Sequence, residues 1–277
     1  MAALADAIRA TWIADAGRHG PMPGADLCCA ILLALLALTG LTLYAIGGYH
    51  AAFQDLNDLA PWLPRWLWHG LTMLGDERGA IALALLLARR HPHVLYTILV
   101  AALLATLANR GIKLGADQLR PPAVLPPDSF FLLGPANKRL SFPSGHTVTA
   151  FVLFGVLAYH FRRWRLPLLA TAAAAGLSRV TIGVHWPLDV IAGAFIGLAS
   201  AWAAVHLAHR LRWGVNPYLH FGIVALASVA ALLLVVDDSG YDSSLWIRLP
   251  IGLAGIAAVL WHYVWVPWRT PPVGRVS

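Results

Sequence analysis

Charge is scarce in this chain: 12% of its 277 residues are Asp, Glu, Lys or Arg, while 59% are hydrophobic. Soluble domains carry roughly 25% charged residues, so a water-soluble globular class is excluded. A mean hydropathy of +0.67 points to lipid as the solvent. Acidic residues are scarcer than basic ones, 13 against 20, which leaves a net charge of +7. In a soluble chain that excess would suggest nucleic acid, but a basic face with aromatic or polar readers is missing, and nucleic-acid binding is excluded with it. Cysteine is confined to the adjacent Cys28 and Cys29. Helix neighbours point about 100° apart, so the two read as unpaired, buried small residues and no disulfide is expected. A convincing cleavage site is also missing from the first apolar stretch, which begins near Leu27, so a cleaved signal peptide is not expected.

What the chain does have is long apolar runs with charge bunched between them. A helical span needs roughly 20 predominantly apolar residues. That length gives about eight candidates, at 27–47, 67–88, 94–112, 145–161, 166–183, 187–206, 218–236 and 247–266. The fold class is therefore all-α, a polytopic transmembrane helix bundle. The second candidate carries Asp76, Glu77 and Arg78 midway. These either turn into the bundle or head a helix that begins near the surface, and they are not assigned to a site. Residues 1–20 read as a short surface helix ended by Pro21-Met22-Pro23, and Gly193 and Gly197 sit at a spacing that suits close helix packing. The junctions Arg89-Arg90-His91, Arg162-Arg163-Trp164-Arg165 and Arg210-Leu211-Arg212, with Arg9, Arg18, Arg269 and Arg275, fall on one side. Asp55, Asp58, Asp237, Asp238 and Asp242 fall on the other, so the basic side is expected to be cytoplasmic. Segments 113–144 and 184–186 are then extracytoplasmic.

Three polar clusters belong to that outer face. The first, Lys113-Leu-Gly-Ala-Asp-Gln-Leu-Arg120-Pro121, places two cations seven residues apart, about two helical turns, near one face. Alone, they could merely snorkel to headgroups. The second, Phe142-Pro143-Ser144-Gly145-His146-Thr147, stands before an apolar run. It turns free backbone N–H groups and a positive helix end toward an anion, and Gly145 permits close approach. His146 beside that anion suits a general acid, although an ordinary helix start with an incidental histidine has the same letters. The third, Ser178-Arg179-Val-Thr-Ile-Gly-Val-His185-Trp-Pro187-Leu-Asp189, leaves His185 in a turn and Asp189 in the first helical turn after Pro187. A carboxylate there can take the imidazole N–H and orient the ring as a nucleophile. Cations, a helix N-terminus, two histidines and a carboxylate on one membrane face form an inventory suited to phosphoryl transfer.

These clusters resemble the K-x6-R-P, P-S-G-H and S-R-x5-H-x3-D motifs of the type-2 phosphatidic acid phosphatase superfamily, with all eleven specified letters present in order. At roughly one in twenty per position, chance does not account for the match. The resemblance covers roughly residues 30–208, a six-helix phosphatase core, with about two extra C-terminal spans outside it. The implied organisation is a cytoplasmic segment 1–26, a membrane phosphatase core 27–212, and an additional C-terminal pair and tail 213–277. By the resemblance, His185 attacks phosphorus to form a phosphohistidine, Asp189 holds and activates it, and His146 protonates the leaving oxygen. Lys113, Arg120, Arg179, Ser144 and the backbone N–H of Gly145 bind phosphate oxygens. Water then releases phosphate, and neither metal nor cofactor is implied.

The implied partners are the bilayer and a lipid phosphate, such as an isoprenoid diphosphate carrier, phosphatidylglycerol phosphate or phosphatidic acid, and the oligomeric state is not legible. The implied location is a bacterial inner membrane, with the site facing the periplasm or exterior. A phosphotransferase that passes the phosphoryl group to another lipid such as lipid A is the nearest alternative. Vanadium-dependent haloperoxidases are similar at the same motifs but are soluble, and a non-catalytic lipid binder or transporter has no need of His185, His146 and Asp189 together. Phe130-Phe131-Leu132-Leu133 is read either as a guide for a lipid tail or as plain loop packing.

Overall fold

The computed structural model describes residues 2–211, 216–237 and 240–269, so Arg212, Asp238 and Arg275 of the orientation reading lie outside the described residues, as does the 212/213 boundary. Among the described residues the architecture is all-helical, with no strand. A surface helix α1 (Ala2–Arg18) precedes α2 (Pro23–Gly47), and the short α3 (Phe53–Asn57) leads into α4 (Arg65–Met73) and α5 (Glu77–Leu85). Next come α6 (Pro92–Ala116), the one-turn α7 (Pro121–Val124), α8 (Gly145–His160), α9 (Arg165–Thr181) and α10 (Pro187–Arg210). The chain closes with α11 (Pro217–Val236), α12 (Leu245–Val259), a π-helical stretch Leu260–Trp265 and α13 (Val266–Arg269).

Proline at the first helical position starts α2, α6, α10 and α11, where its missing N–H costs nothing and its fixed φ suits the helix. Five helical segments are long and apolar enough to cross a membrane: Pro23–Gly47, Pro92–Val124, Pro187–Arg210, Pro217–Val236 and Asp242–Arg269. Leu27, Ile31, Leu35, Leu38 and Leu41 on α2, and Leu226, Val229, Leu232 and Leu233 on α11, point outward. Apolar exteriors of that extent need lipid around them, and the chain is an integral membrane protein.

The roughly eight candidate spans do not all form single long helices. Candidate 67–88 is broken: α4 stops at Met73, and Asp76 caps α5 by accepting from the N–H groups of Arg78 and Gly79. The charged trio thus heads a new helix. Candidates 145–161 and 166–183 are α8 and α9, of 16 and 17 residues. At ~1.5 Å per residue each reaches only about 25 Å. Length matters less here because α8 packs against α6, α9 and α10 and is buried along most of its surface. A helix enclosed by protein need not match the hydrocarbon thickness.

α8 and α10 run in the same direction, and α6 and α9 run against them. The N-termini of α8 and α10 therefore meet the C-terminal ends of α6 and α9 at one end of the bundle. Arg89, Arg90, Arg162, Arg163, Arg165 and Arg210 collect at the other. Close approach of α8 and α10 depends on the two glycines singled out from the sequence. A Cβ at Gly193 would lie 2.7 Å from the Ser144 carbonyl oxygen, and one at Gly197 would lie 2.6 Å from that of Val148. α11 and α12 pack on each other and on α5, and the segment between them reaches back over the bundle end, burying Tyr241.

Candidate phosphate site

At that end, a cavity of about 190 Å³ is lined by Asp76, Lys113, Arg120, Pro135, Asn137, Gly145, His146, Arg179, His185 and Tyr241. Six of the eight residues expected at the site face it directly. Of the other two, Asp189 sits behind His185, and Ser144 is the buried N-cap of α8.

His185 occupies the turn between α9 and α10. That turn is sharp because Gly183 adopts φ +78°, where a Cβ would also meet the Phe131 carbonyl oxygen at 2.3 Å. Backbone N–H groups of Val184 and His185 both donate to the Arg179 carbonyl at 3.1 Å, which ties the end of α9 to the turn. The imidazole Nδ1 lies 3.1 Å from Asp189 Oδ2. A carboxylate accepts only, so Nδ1 carries the proton and Nε2 keeps its lone pair. Burial, reinforced by the charges of Arg120 and Arg179, pushes the His185 pKa down to about 3 against the opposing pull of Asp189. The ring is therefore neutral at neutral pH, as a nitrogen nucleophile must be.

Asp189 is anchored well beyond the contact that the sequence suggested. Its carboxylate also accepts from the Trp186 N–H at 2.9 Å and from the hydroxyls of Ser141 and Tyr49. Burial and the neighbouring carboxylate hold the Tyr49 phenol above its usual range, so it remains a donor. Trp186 is itself fixed, by a 2.8 Å bond from its indole N–H to the Leu119 carbonyl and by stacking on His50 at 3.8 Å.

His146 lies in the first turn of α8, with its Nε2 buried and unpartnered. The break between α4 and α5 abuts it: a Cβ at Gly75 would lie 2.6 Å from the His146 carbonyl oxygen. By contrast, a Cβ at Gly145 would meet only Asn109 Nδ2, at an ordinary 3.7 Å. Among the described residues no protein group demands glycine there, and Gly145 lines the cavity.

Two of the three cations, Lys113 and Arg120, arrive differently from what their spacing suggested. Lys113 is in the last turns of α6, but the helix ends at Ala116 and Asp117 turns left-handed, so Arg120 lies on an extended link and not on the same helical face. Lys113 Nζ donates to the Leu140 carbonyl at 3.2 Å, and Arg120 Nε donates to that of Arg139 at 3.0 Å. Arg179 is buried; its Nη1 donates to Tyr241 Oη at 2.7 Å and lies 3.4 Å from Thr72 Oγ1, while Nε has no partner. Ser178 supports this arrangement through Thr72, Oγ to Oγ1 at 2.9 Å.

Sequence reasoning missed Tyr49, Ser141, Thr72 and Tyr241, whose partners are 48 to 140 positions away and which carry no local signal. It also left out Asp76, which lines the cavity. Phe130 to Leu133 pack in a loop: Phe131 N–H donates to Asn57 Oδ1 at 2.7 Å, Leu133 N–H to the Ile182 carbonyl at 3.0 Å, and Leu133 is buried. A second, apolar groove of about 660 Å³ runs between α2 and α10. Tyr49 and Phe142 form its wall nearest the site, and Leu36, Gly40, Ile191 and Phe195 continue it along the helices.

A family profile described as the PAP2 superfamily matches residues 93–213, the segment that carries all three clusters. A lipid A 1-phosphatase of Rhizobium etli is 32% identical over 180 residues, covering 56% of this chain and 72% of that protein. Another, from Rhizobium johnstonii, is 34% identical over 106 residues, 38% of this chain and 42% of the relative. An undecaprenyl-diphosphatase of Sulfolobus acidocaldarius is 32% identical over 124 residues, 44% of this chain and 59% of the relative. The match thus spans from about two fifths to about three quarters of these proteins' lengths. With the motif residues gathered around one cavity and a relative aligned over most of its length, the chain belongs to the PAP2 superfamily.

Proposed function

We propose that this protein is a lipid phosphatase that moves a phosphoryl group from a membrane lipid to His185 and then to water, at the extracytoplasmic face. The observation that carries the reading is the pairing of a neutral, Asp189-oriented imidazole with His146 across one cavity that also holds Lys113, Arg120 and Arg179. The cations neutralise the phosphate so that a nucleophile can approach, and with the N–H groups at the start of α8 they stabilise charge on its oxygens in the transition state.

In the first step His185 Nε2 forms the N–P bond while the P–O bond to the lipid breaks. The His146 imidazolium, formed beside the bound phosphate anion, gives a proton to the departing oxygen and becomes neutral, and Asp189 compensates the positive charge on the His185 ring. In the second, water attacks phosphorus, His146 takes the water's proton, and the N–P bond breaks to release inorganic phosphate and neutral His185. No step draws on a metal.

The apolar groove between α2 and α10 suits a lipid tail, since its wall at Tyr49 adjoins the support of Asp189. A lipid phosphomonoester or diphosphate is the substrate class, in keeping with the names of the relatives. The arginine-rich end of the bundle, opposite the cavity, supports an extracytoplasmic site by the positive-inside rule.

The test is release of inorganic phosphate by the purified chain in detergent from lipid A 1-phosphate, undecaprenyl diphosphate, phosphatidylglycerol phosphate and phosphatidic acid, assayed side by side. Turnover of at least one is expected, unchanged by a chelator during the assay and abolished in His185→Ala. Undiminished turnover in that variant would sink the mechanism. Label passing to a second lipid in place of water would identify a transferase.

A further inference from the structure

At the arginine-rich end of the bundle, far from the phosphate cavity, imidazoles gather in a way the phosphatase chemistry does not use. α1 ends beside the start of α6 and the C-terminal ends of α8 and α10, and these elements contribute His19, His91, His93, His160 and His209. Among them Asp15 is completely buried. Its Oδ1 lies 2.9 Å from His19 Nδ1 and 3.0 Å from His91 Nδ1, and its Oδ2 accepts the His93 backbone N–H at 3.0 Å. The exposed Arg18 also approaches Oδ1, at 3.6 Å, and His19 Nδ1 lies 3.2 Å from the Asp15 carbonyl oxygen.

We propose that Asp15, His19 and His91 form a binding site for a divalent transition metal of the zinc class, joining the N-terminal surface helix to the membrane bundle. One ligand atom from each of the three lies within 4.8 Å of the others. Around a tetrahedral ion with bonds of about 2.0–2.1 Å, neighbouring ligand atoms stand roughly 3.3 Å apart. The two Asp–His contacts need open by only a few tenths of an ångström to admit one. Two imidazoles and a carboxylate select a borderline metal over calcium or magnesium, which take oxygen ligands.

A second observation points the same way. His160 is 7% exposed and His93 is fully buried, yet none of their four ring nitrogens has a hydrogen-bond partner among the described residues. Each neutral imidazole must carry one N–H, and leaving buried donors and acceptors unmatched is costly. The His160 ring centre stands 5.3 Å from that of His19, so this buried imidazole borders the three ligands. A hydrogen-bonded staple of α1 alone would account for Asp15 but not for these neighbouring rings. His91, less buried than its partners, offers the way in from the aqueous surface. Hydrogen bonds from His19 and His91 outweigh the burial that would otherwise raise Asp15, and they hold its carboxyl below the usual range, ready as an anionic ligand.

The site is separated from the phosphate cavity by the length of α8, so occupancy should act on stability and leave phosphoryl transfer alone. The experiment strips the purified full-length chain with a chelator and titrates Zn²⁺ against a chromophoric competitor, with Co²⁺ as a spectroscopic probe. One Zn²⁺ per chain, a raised thermal midpoint and an intense tetrahedral Co²⁺ spectrum are expected. His19→Ala and His91→Ala should each weaken binding by about 10-fold or more, and the double variant should lose it. His185→Ala should bind as the parent does. No stoichiometric Zn²⁺ uptake by the unaltered chain would overturn the proposal whatever the variants do, and so would uptake that survives the double variant or disappears with His185. Phosphate release, measured on the same preparations, keeps this outcome separate from that of the phosphatase reading.

Discussion

Asp189 has four donors around two oxygens: His185, Trp186, Ser141 and Tyr49. An orienting carboxylate needs such support, because a rotation that costs it little would turn the imidazole away from the phosphorus. Hydrogen bonds to a charged group contribute about 1.5–3 kcal/mol, and Asp189 keeps three donors without the phenol. Tyr49→Phe is therefore expected to lower kcat about ten-fold with KM nearly unchanged. A raised KM with kcat unchanged would show that Tyr49 acts on binding instead. Tyr241 is the counterpart on the phosphate side, since its oxygen holds Arg179 Nη1 at 2.7 Å. Tyr241→Phe frees that guanidinium to move, and KM should rise several-fold with a smaller change in kcat. Steady-state kinetics on one lipid phosphate separates the two tyrosines.

Two helix N-termini, those of α8 and α10, carry His146 and hold Asp189, and the distance between these helices sets the distance between the proposed acid and the proposed nucleophile. Gly193 maintains that distance because the Ser144 carbonyl occupies the place of a side chain. Overpacking a close contact costs about 1–3 kcal/mol, and a shift of about 1 Å in a reacting geometry can cost about 100-fold in rate. Gly193→Ala should thus lower the thermal midpoint in detergent modestly and phosphate release by a much larger factor. Wild-type turnover in that variant would show that α8 and α10 can separate without consequence. Asp76 is an element-scale feature of another kind. It caps α5 through the N–H groups of Arg78 and Gly79, and the break it creates sets Gly75 against His146.

For the whole molecule, the C-terminal helix pair takes part in the cavity. α11 and α12 cover α5, and their connecting segment delivers Tyr241 to the cavity. Orientation is tested at the same scale. With Cys28 and Cys29 replaced, a single cysteine at Asp128 is expected to react with an impermeant maleimide on intact cells, and one at Arg163 only after permeabilisation. The reverse pattern would place the cavity on the cytoplasmic side and remove the extracytoplasmic part of the proposal.

Apolar run length and the three clusters were enough, from sequence alone, to specify a helical membrane protein and to single out Lys113, Arg120, Ser144, Gly145, His146, Arg179, His185 and Asp189. Chain-local chemistry is legible because a proline start, an i,i+4 His–Asp pair and a run of roughly 20 apolar residues are each set by neighbours in the chain. Only the tertiary structure decided that Arg120 leaves the α6 face, that Phe130 to Leu133 pack in a loop, and that 67–88 divides at Gly75. It also decided that Tyr49 and Tyr241 reach the site, and that Asp15 of α1 meets histidines from elsewhere in the chain. Those outcomes depend on contacts between residues tens to more than a hundred positions apart. Such contacts have no period in the sequence, and they exist only once the helices have packed.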